Sequence, residues 1–581
     1  MEIHFSDAVI VGAGLAGERA AIEIASNGFN VNIISLVPPR QSHSNAAQGG
    51  VQASLANTKE NEGDNWRVHF DDTVKGSDWG ADQNVVEMVC KLAPKLVREL
   101  DYWGAAFSRT DDGKINQRPF GGASKPRCAF ASDGTGHILL NTIDSQVMAL
   151  KIPIFRRYQL LSLIHNGEEV KGIAALNLKT NEIELFMAKA TILATGGAGR
   201  LFPETTNSLI SFGDGCAIAL ETGLVPIGNP EAIQFHPTAL VPTSRLVTEG
   251  CRGDGGALLD KDGKEFMWDY SPTKGNLASR DVVSRSMMRH IKKGLGIDSP
   301  YGPHLWLDIK RLGKKHIKTK LSDVDFLCRT FIGIDPKKEY IPVRPAQHYT
   351  MFGIKTNKNC EVYGLKRLFA VGECACWDLH GFNRLGGNSI LETIAAGHIA
   401  GNESIKYISD SPSARLCHEA IKEYLKQKNR IESIVWYARN AHNENIFHIF
   451  REMQNILSDS AGIFRNKTEL QKGLDQLIAL REKILNGGIR SQGKGPNLEL
   501  QLALRLPGLI KLAICITQAA LLREESRGSH YREDFPQRDD VKWLKRTLAY
   551  FPQGNDVPKI DYEPTEITLL PPGDRGYGEK K

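Results

Sequence analysis

Through roughly the first 400 residues, apolar side chains come in short, strand-length runs; beyond about residue 405 they fall into helical stripes. Val9-Ile10-Val11 leads into Gly12-Ala13-Gly14-Leu15-Ala16-Gly17, and a second run follows at residues 31–35. Strand, G-x-G-x-x-G, helix and strand in that order predict a βαβ nucleotide-binding unit. Residues 83–103 carry Val85, Val86, Val89, Leu92, Leu96, Val97 and Leu100 at near-helical spacing and predict a helix. Alternating apolar segments at 154–164 and 170–178 predict strands. Two more strands are predicted at 190–195, ending in Gly196-Gly197, and at 367–371, ending in Gly372-Glu373. Strands of a doubly wound sheet present such C-terminal ends to a bound nucleotide.

Residues 240–345, rich in Gly, Lys and Arg, read as an insertion into the nucleotide-binding unit. Residues 413–485 form long charged amphipathic segments, and 496–525 add another. The most apolar run, 506–522, is broken by Lys511 and Gln518. It falls short of the roughly 20 residues of a membrane span and predicts a buried helix. The tail from about 527 carries Pro536, Pro552, Pro558, Pro564, Pro571 and Pro572. It cannot build a core alone and is expected to pack over other domains or partners. No fixed-period repeat is present.

A length of 581 residues implies several domains, and 41% hydrophobic with 24% charged residues is ordinary for a globular protein. A net charge of +6 over this length gives no reason to invoke nucleic acid. The ten cysteines include no C-x-x-C pair, which argues against a zinc ribbon or an iron–sulfur site within the chain. They are expected as small buried thiols in a reducing compartment. Strand-like sequence begins by Phe5, leaving no room for a signal peptide.

The fingerprint has a physical logic: Gly12 for the tight turn, Gly14 for approach of the pyrophosphate, Gly17 for close helix packing. The acid expected after the second strand is replaced by Ser35, whose hydroxyl can still hydrogen-bond a ribose, and Glu373 is placed to supply the missing carboxylate. Just beyond the second strand, Gln41 to Gly50 reads Gln-Ser-His-Ser-Asn-Ala-Ala-Gln-Gly-Gly. A histidine in such a loop is either an ordinary solvated residue or, just beyond the second strand, one that lies along a bound cofactor within bonding reach.

Five further clusters look chemical. His236 precedes Pro237, in extended backbone. Thr248 to Gly256 packs Glu249, Arg252 and Asp254 among four glycines. Ser279-Arg280-Asp281 reads as a helix start, with Ser279 as N-cap. Gln347-His348-Tyr349 and Asn383-Arg384 to Ser389 complete the set. Two imidazoles and three guanidiniums among glycines suit a ligand with two carboxylates, because guanidinium grips carboxylate with a planar fork.

His43 with Ala46-Ala47-Gln48-Gly49-Gly50, the His236 motif, Thr248 to Gly256, Arg280-Asp281, His348-Tyr349-Thr350 and Asn383 to Ser389 together resemble the flavoprotein subunit of fumarate reductase and succinate dehydrogenase, in character the quinol:fumarate reductase type of anaerobic bacteria. The similarity spans nearly the whole chain, including Glu525-Ser526-Arg527-Gly528. It implies an α/β fold: a Rossmann-like FAD-binding domain (1–239 and 346–405) interrupted by an α+β capping domain (240–345), then a helical domain (406–526) and an extended C-terminal region (527–581). It implies FAD bound covalently through His43, with contacts from Gly12, Gly14, Gly17, Ser35, Gly49, Gly50, Asp214, Glu373, Ser389 and Ile390. His236, Thr248, His348 and Arg384 are implied as dicarboxylate ligands, and Arg280 as proton donor fed through Glu249 and Arg252.

The implied activity is interconversion of fumarate and succinate, by hydride transfer at the flavin and proton transfer from Arg280. The implied partners are an iron–sulfur subunit and a quinone-reactive membrane anchor, on the cytoplasmic side of the inner membrane. Two positions depart from the family pattern. Phe352 stands where Met-Gly-Gly is usual, and is expected to alter the local fit at flavin or ligand; Gln48 stands where many relatives carry Glu. An L-aspartate oxidase-like flavoenzyme shares the fold but normally lacks the flavin-linking histidine. An inactive electron-relay subunit would not need all five cationic and imidazole positions.

Overall fold

The computed structural model describes residues 1–440, 444–485, 489–491 and 495–575. Parts of the expected helical region (441–443, 486–488 and 492–494) and the last part of the expected C-terminal region (576–581) lie outside the described residues.

Strand β1 (Glu2–Val11) runs through the middle of a seven-stranded sheet between β2 (Val31–Ser35) and β3 (Glu182–Leu193), parallel to both. Ile154–Arg156 extends the parallel set beyond β2, and Leu368–Ala370 pairs parallel with the end of β3. The last four residues of β1 are all buried, as in a parallel strand covered on both faces. Helix α1 (Leu15–Ser26) packs so closely on α3 (Asn388–Ser409) that a Cβ on Gly397 would lie 2.6 Å from the Ala16 carbonyl oxygen. The C-terminal ends of β1, β3 and Leu368–Ala370 open onto one cavity.

The alternating segment at 154–164 is two strands rather than one. Arg157 takes a left-handed conformation (φ +69°), so Ile154–Arg156 pairs with β2 while Tyr158–His165 turns away to pair antiparallel with Val170–Asn177. A period-two pattern does not register such a break.

Strands β4 (Ile233–Leu240) and β5 (Ile341–Thr350) pair antiparallel in a second sheet with Arg245–Leu246, Leu305–Asp308 and Ala257–Leu259. This unit has its own core, including Val247, Leu258, Phe266, Val283, Leu305 and Ile317. Helix α2 (Arg280–His290) belongs to it. The boundaries expected at 239/240 and 345/346 fall inside β4 and β5, which run from one unit into the other.

The helical stripes are Ile446–Ala461, Lys467–Leu485 and α4 (Leu498–Leu522), preceded by His418–Asn440. Helix α4 is long and apolar enough to cross a membrane, yet 89% of its most apolar stretch is buried inside the protein. The tail holds two strands that sequence patterning missed, Lys545–Tyr550 and Lys559–Pro564, the first paired with Ile227–Gly228. One charge that hides the first strand's pattern points inward: buried Arg546 reaches Asp378 at 2.7 Å. A buried network binds the tail to the body. Arg523 bridges Glu231 (2.6 Å) and Glu525 (2.9 Å), Arg527 bonds Glu525 (2.8 Å), and Gly528 N–H donates to Asp78 (2.8 Å).

Phe352 does not reach the cavity. It is fully buried in the main hydrophobic core with Ile233, Ile354 and Cys374. The glycine the backbone needs is the next one: a Cβ on Gly353 would lie 2.6 Å from the backbone of Cys374 and Ala375. Phe352→Ala is therefore expected to cost about 3–5 kcal/mol in urea denaturation, while leaving ligand affinity in the cavity unchanged.

Candidate active site

The cavity is lined by the fingerprint loop, the His43 loop, residues 194–197, Gly372-Glu373 and the start of α3 on one side, and by residues of the second sheet on the other. Gly12 has φ +121°, and a Cβ there would overlap the Ala194 carbonyl oxygen at 2.1 Å. Gly17 is as tight, its Cβ position 1.9 Å from the Gly12 oxygen. Gly14, by contrast, meets only the Ser44 hydroxyl, at 3.0 Å. That hydroxyl accepts the Leu15 N–H at the start of α1.

Several cavity-lining polar atoms are buried without a hydrogen-bond partner: Ser42 Oγ, Thr195 Oγ1, Gln48 Oε1 and Arg384 Nε. Buried polar atoms are normally paired with protein or ordered water, and a ligand in the cavity would complete these. A long groove with glycines against a helix N-terminus, stranded polar atoms and a carboxylate opposite fits an extended dinucleotide such as FAD.

Two expected contacts differ in detail. The Ser35 hydroxyl donates to the Val37 carbonyl (2.7 Å), leaving only its acceptor capacity for a ribose. Asp214 begins a helix, and both its oxygens lie 3.0 Å from Arg505 Nε of α4, so its charge is already paired. Ser279 occupies the N-cap position of α2 but makes no side-chain capping bond; its hydroxyl donates to Asp281 instead. Glu373 accepts the Thr350 N–H at 2.9 Å, and burial raises its pKa to about 7. Gly49, Gly50, Ser389 and Ile390 all line the cavity.

His43 is half-buried in a short 3-10 turn. Ser208 N–H donates to its Nδ1 (3.2 Å), and burial lowers its pKa to about 4. The ring is thus neutral, with Nδ1 committed as acceptor and Nε2 touched, among the described residues, only by the Asn207 amide nitrogen at 3.5 Å.

His236, Thr248, Glu249, Arg280, His348 and Arg384 converge on the same cavity. The His236 and His348 rings are 4.8 Å apart. Thr238 N–H donates to His236 Nδ1 (3.2 Å), and the Thr206 hydroxyl lies 2.7 Å from His348 Nδ1. With Nδ1 accepting, the neutral His236 ring carries its proton on Nε2 as a donor; His348 Nδ1 shares one hydrogen bond with the Thr206 hydroxyl, which also reaches the Gln347 carbonyl. Burial and then neighbouring charges hold both histidines well below their usual pKa: Arg280, Arg252 and Arg384 at His236; His236, Arg280, Arg384 and His43 at His348. Burial, reinforced by Arg280, lowers Arg384 to about 9, and its guanidinium sits 4.4 Å from the Tyr349 ring centroid.

Glu249 is the carboxylate among these cations. Its Oε2 receives Arg280 Nε (2.8 Å) and Nη2 (2.7 Å), and its Oε1 receives the Gly121 N–H (3.0 Å), with Arg252 Nη2 at 3.7 Å. Gln234 ties the two substrate-side arginines together: its Oε1 accepts from Arg280 (3.1 Å) and its Nε2 donates to the Arg384 carbonyl (2.8 Å). Sequence reasoning passed over the roles of Gln234, Thr206 and Thr238. Gln234 and Thr238 each had a local signal, two residues from His236; Thr206 meets His348 across 142 positions.

Groove and cation cluster together define a flavin-dependent oxidoreductase acting on a small dianion. An FAD binding domain family matches residues 7–390, and a fumarate reductase flavoprotein C-terminal family matches 450–577. The fumarate reductase flavoprotein subunit of Helicobacter pylori is 44% identical, over 100% of this chain and 88% of the relative. The succinate dehydrogenase flavoprotein subunit of Rickettsia bellii is 36% identical, over 99% of this chain and 98% of the relative. A solved Escherichia coli quinol fumarate reductase flavoprotein superposes with TM-score 0.94 at 36% identity, covering all of both chains. The chain belongs to the fumarate reductase/succinate dehydrogenase flavoprotein subunit family, oxidoreductases that bind FAD and interconvert fumarate and succinate.

The Arg384 value sets a pH dependence. In the free protein its proton is held below about pH 9, and a dianion binds the protonated form. Malonate affinity should be flat from pH 7 to 8 and fall about tenfold per unit above about pH 9. Arg384→Gln should weaken binding more than 100-fold and lose that slope, both read by flavin absorbance titration.

Proposed function

We propose that this chain is the flavoprotein subunit of a quinone-linked fumarate reductase or succinate dehydrogenase, with fumarate and succinate bound between its two lobes. One carboxylate is held by Arg384 and His348, the other by the His236 Nε2–H and Thr248. Gly12, Gly14, Gly17, Ser35, Gly49, Gly50, Asp214, Glu373, Ser389 and Ile390 form the FAD cradle, and His43 is the point of covalent attachment. FAD, when bound, supplies the hydride exchanged with the dicarboxylate.

The proton comes from Arg280. The carrying observation is the relay behind it: Arg280 faces the cavity while Glu249 reaches it on one oxygen and faces Arg252 on the other. A guanidinium is a weak acid toward water, but the carbanion developing at the substrate is a far stronger base. Burial, with Arg280's charge adding, also lowers Arg252 below its ordinary value, easing return of a proton through Glu249. The second lobe covers the site and excludes water, which strengthens each of these contacts. Electrons leave or enter through a separate iron–sulfur subunit and a quinone-reactive membrane anchor, placing the chain peripherally on the cytoplasmic side of the membrane. The family kinship and the absence of a C-x-x-C cluster motif in the sequence support that arrangement.

Arg280→Gln should keep bound flavin and dicarboxylate affinity while turnover falls by about 10²–10⁴-fold in both directions; retention of more than a tenth of the wild-type rate would overturn the donor role. Acid precipitation should leave the yellow chromophore with the protein, and His43→Ser should release it into the supernatant.

A further inference from the structure

The last described residues form a strap. Gln83 fastens it to the FAD-binding body: its Oε1 accepts the backbone N–H groups of Thr568, Leu569 and Leu570 (3.0, 2.8 and 2.9 Å), and its Nε2 donates to the Leu570 carbonyl (2.6 Å). Arg538 then holds the Gly573 carbonyl at 2.7 Å. Beyond that point Arg575 reaches across to the second lobe. Its Nη1 lies 2.9 Å from Asp281 Oδ2, and its Nη2 reaches Asp281 Oδ1 (3.2 Å), Ser279 Oγ (3.4 Å) and the Gly76 carbonyl (3.1 Å).

Ser279 and Asp281 flank Arg280. Ser279 is the N-cap of α2, Arg280 and Asp281 open its first turn, and the Arg280 side chain leaves that turn toward Glu249 and the cavity. Because the Ser279 hydroxyl is spent on Asp281 rather than on the helix backbone, this turn lacks the usual side-chain cap. Asp281 is completely buried, and its carboxylate is gripped by Arg575 on both oxygens and by Arg285 (3.1 Å). A two-pronged guanidinium–carboxylate bond fixes direction as well as distance.

We propose that Arg575 is a positioning residue for the reaction. The strap fixes the first turn of α2 against Gly76 of the FAD-binding body and so holds the Arg280 guanidinium in register with a bound dicarboxylate. The inference rests on Arg280 being the proton donor. An error of about 1 Å at a reacting group costs up to ~10²-fold in rate, so loss of the strap contact is expected in kcat.

The test uses the full chain in its native complex, with turnover expressed per covalent flavin. Arg575→Gln should lower kcat for fumarate reduction and succinate oxidation by at least about tenfold, with flavin content and malonate affinity within about twofold of wild type. Arg575→Lys, which keeps a cation beside Asp281, should recover most of the loss. Combining Arg575→Gln with Asp281→Asn should add little further loss, since both break one contact. A kcat within twofold of wild type, a loss tracking flavin content, or fully additive effects would overturn the proposal. Arg280→Gln, run alongside, separates the two ideas. If it is inactive while Arg575→Gln is normal, only the strap's role fails; if it remains active, the donor assignment fails first.

Discussion

Positive charge without matching negative charge, kept out of water, is the constraint on which the molecule is organised. Arg280, Arg252 and Arg384 are buried together, and Glu249 is the carboxylate that answers them within the cluster. Placing several like charges in a low-dielectric space is costly, and the protein shows the strain: Arg384 is drawn down toward ordinary pH, and both nearby imidazoles are driven neutral. A ligand with two negative charges relieves that imbalance. A monoanion would relieve only part of it, which makes charge number as much a selection criterion as shape.

The cluster cannot be built on one element. His236 and His348 sit on neighbouring strands, Arg280 opens a helix of the second lobe, and Arg384 lies in the loop before α3. Strands β4 and β5 run continuously from one lobe into the other, so both histidines ride on the link between lobes. Fixed partners then orient each group: Thr238 and Thr206 for the imidazoles, Gln234 between the two arginines, Glu249 behind Arg280. Such support is what turns a set of charges into a site with defined geometry.

Much of this is readable in the chain itself, for identifiable reasons. The nucleotide fold announces itself because glycine is physically required at Gly12 and Gly17, where any Cβ would overlap backbone. The site residues stand out because charges and imidazoles among glycines make little sense as packing. What stays hidden depends on distant partners. Thr206 carries no mark of its meeting with His348, nor does Asp214 of its pairing with Arg505. The strand at 545–550 is masked because Arg546 is an inward-facing charge, satisfied by a residue 168 positions away. Phe352 looked like a change at the flavin because the motif was judged by its neighbours in sequence; the backbone turns the side chain into the core instead.

Helix α4 has a consequence for how the chain is made. A segment this apolar would be a candidate for capture by a lipid bilayer if it emerged from the ribosome with nothing to cover it. Its main covering partners, Asp214–Glu221, Ile446–Ala461 and Lys467–Leu485, precede it in the chain, while Lys545–Tyr550, which follows it, adds a smaller contact. Because synthesis proceeds from the N-terminus and earlier units fold first, the receiving surface is already available when α4 appears. The order of the genetic message thus doubles as protection against misdelivery to the membrane.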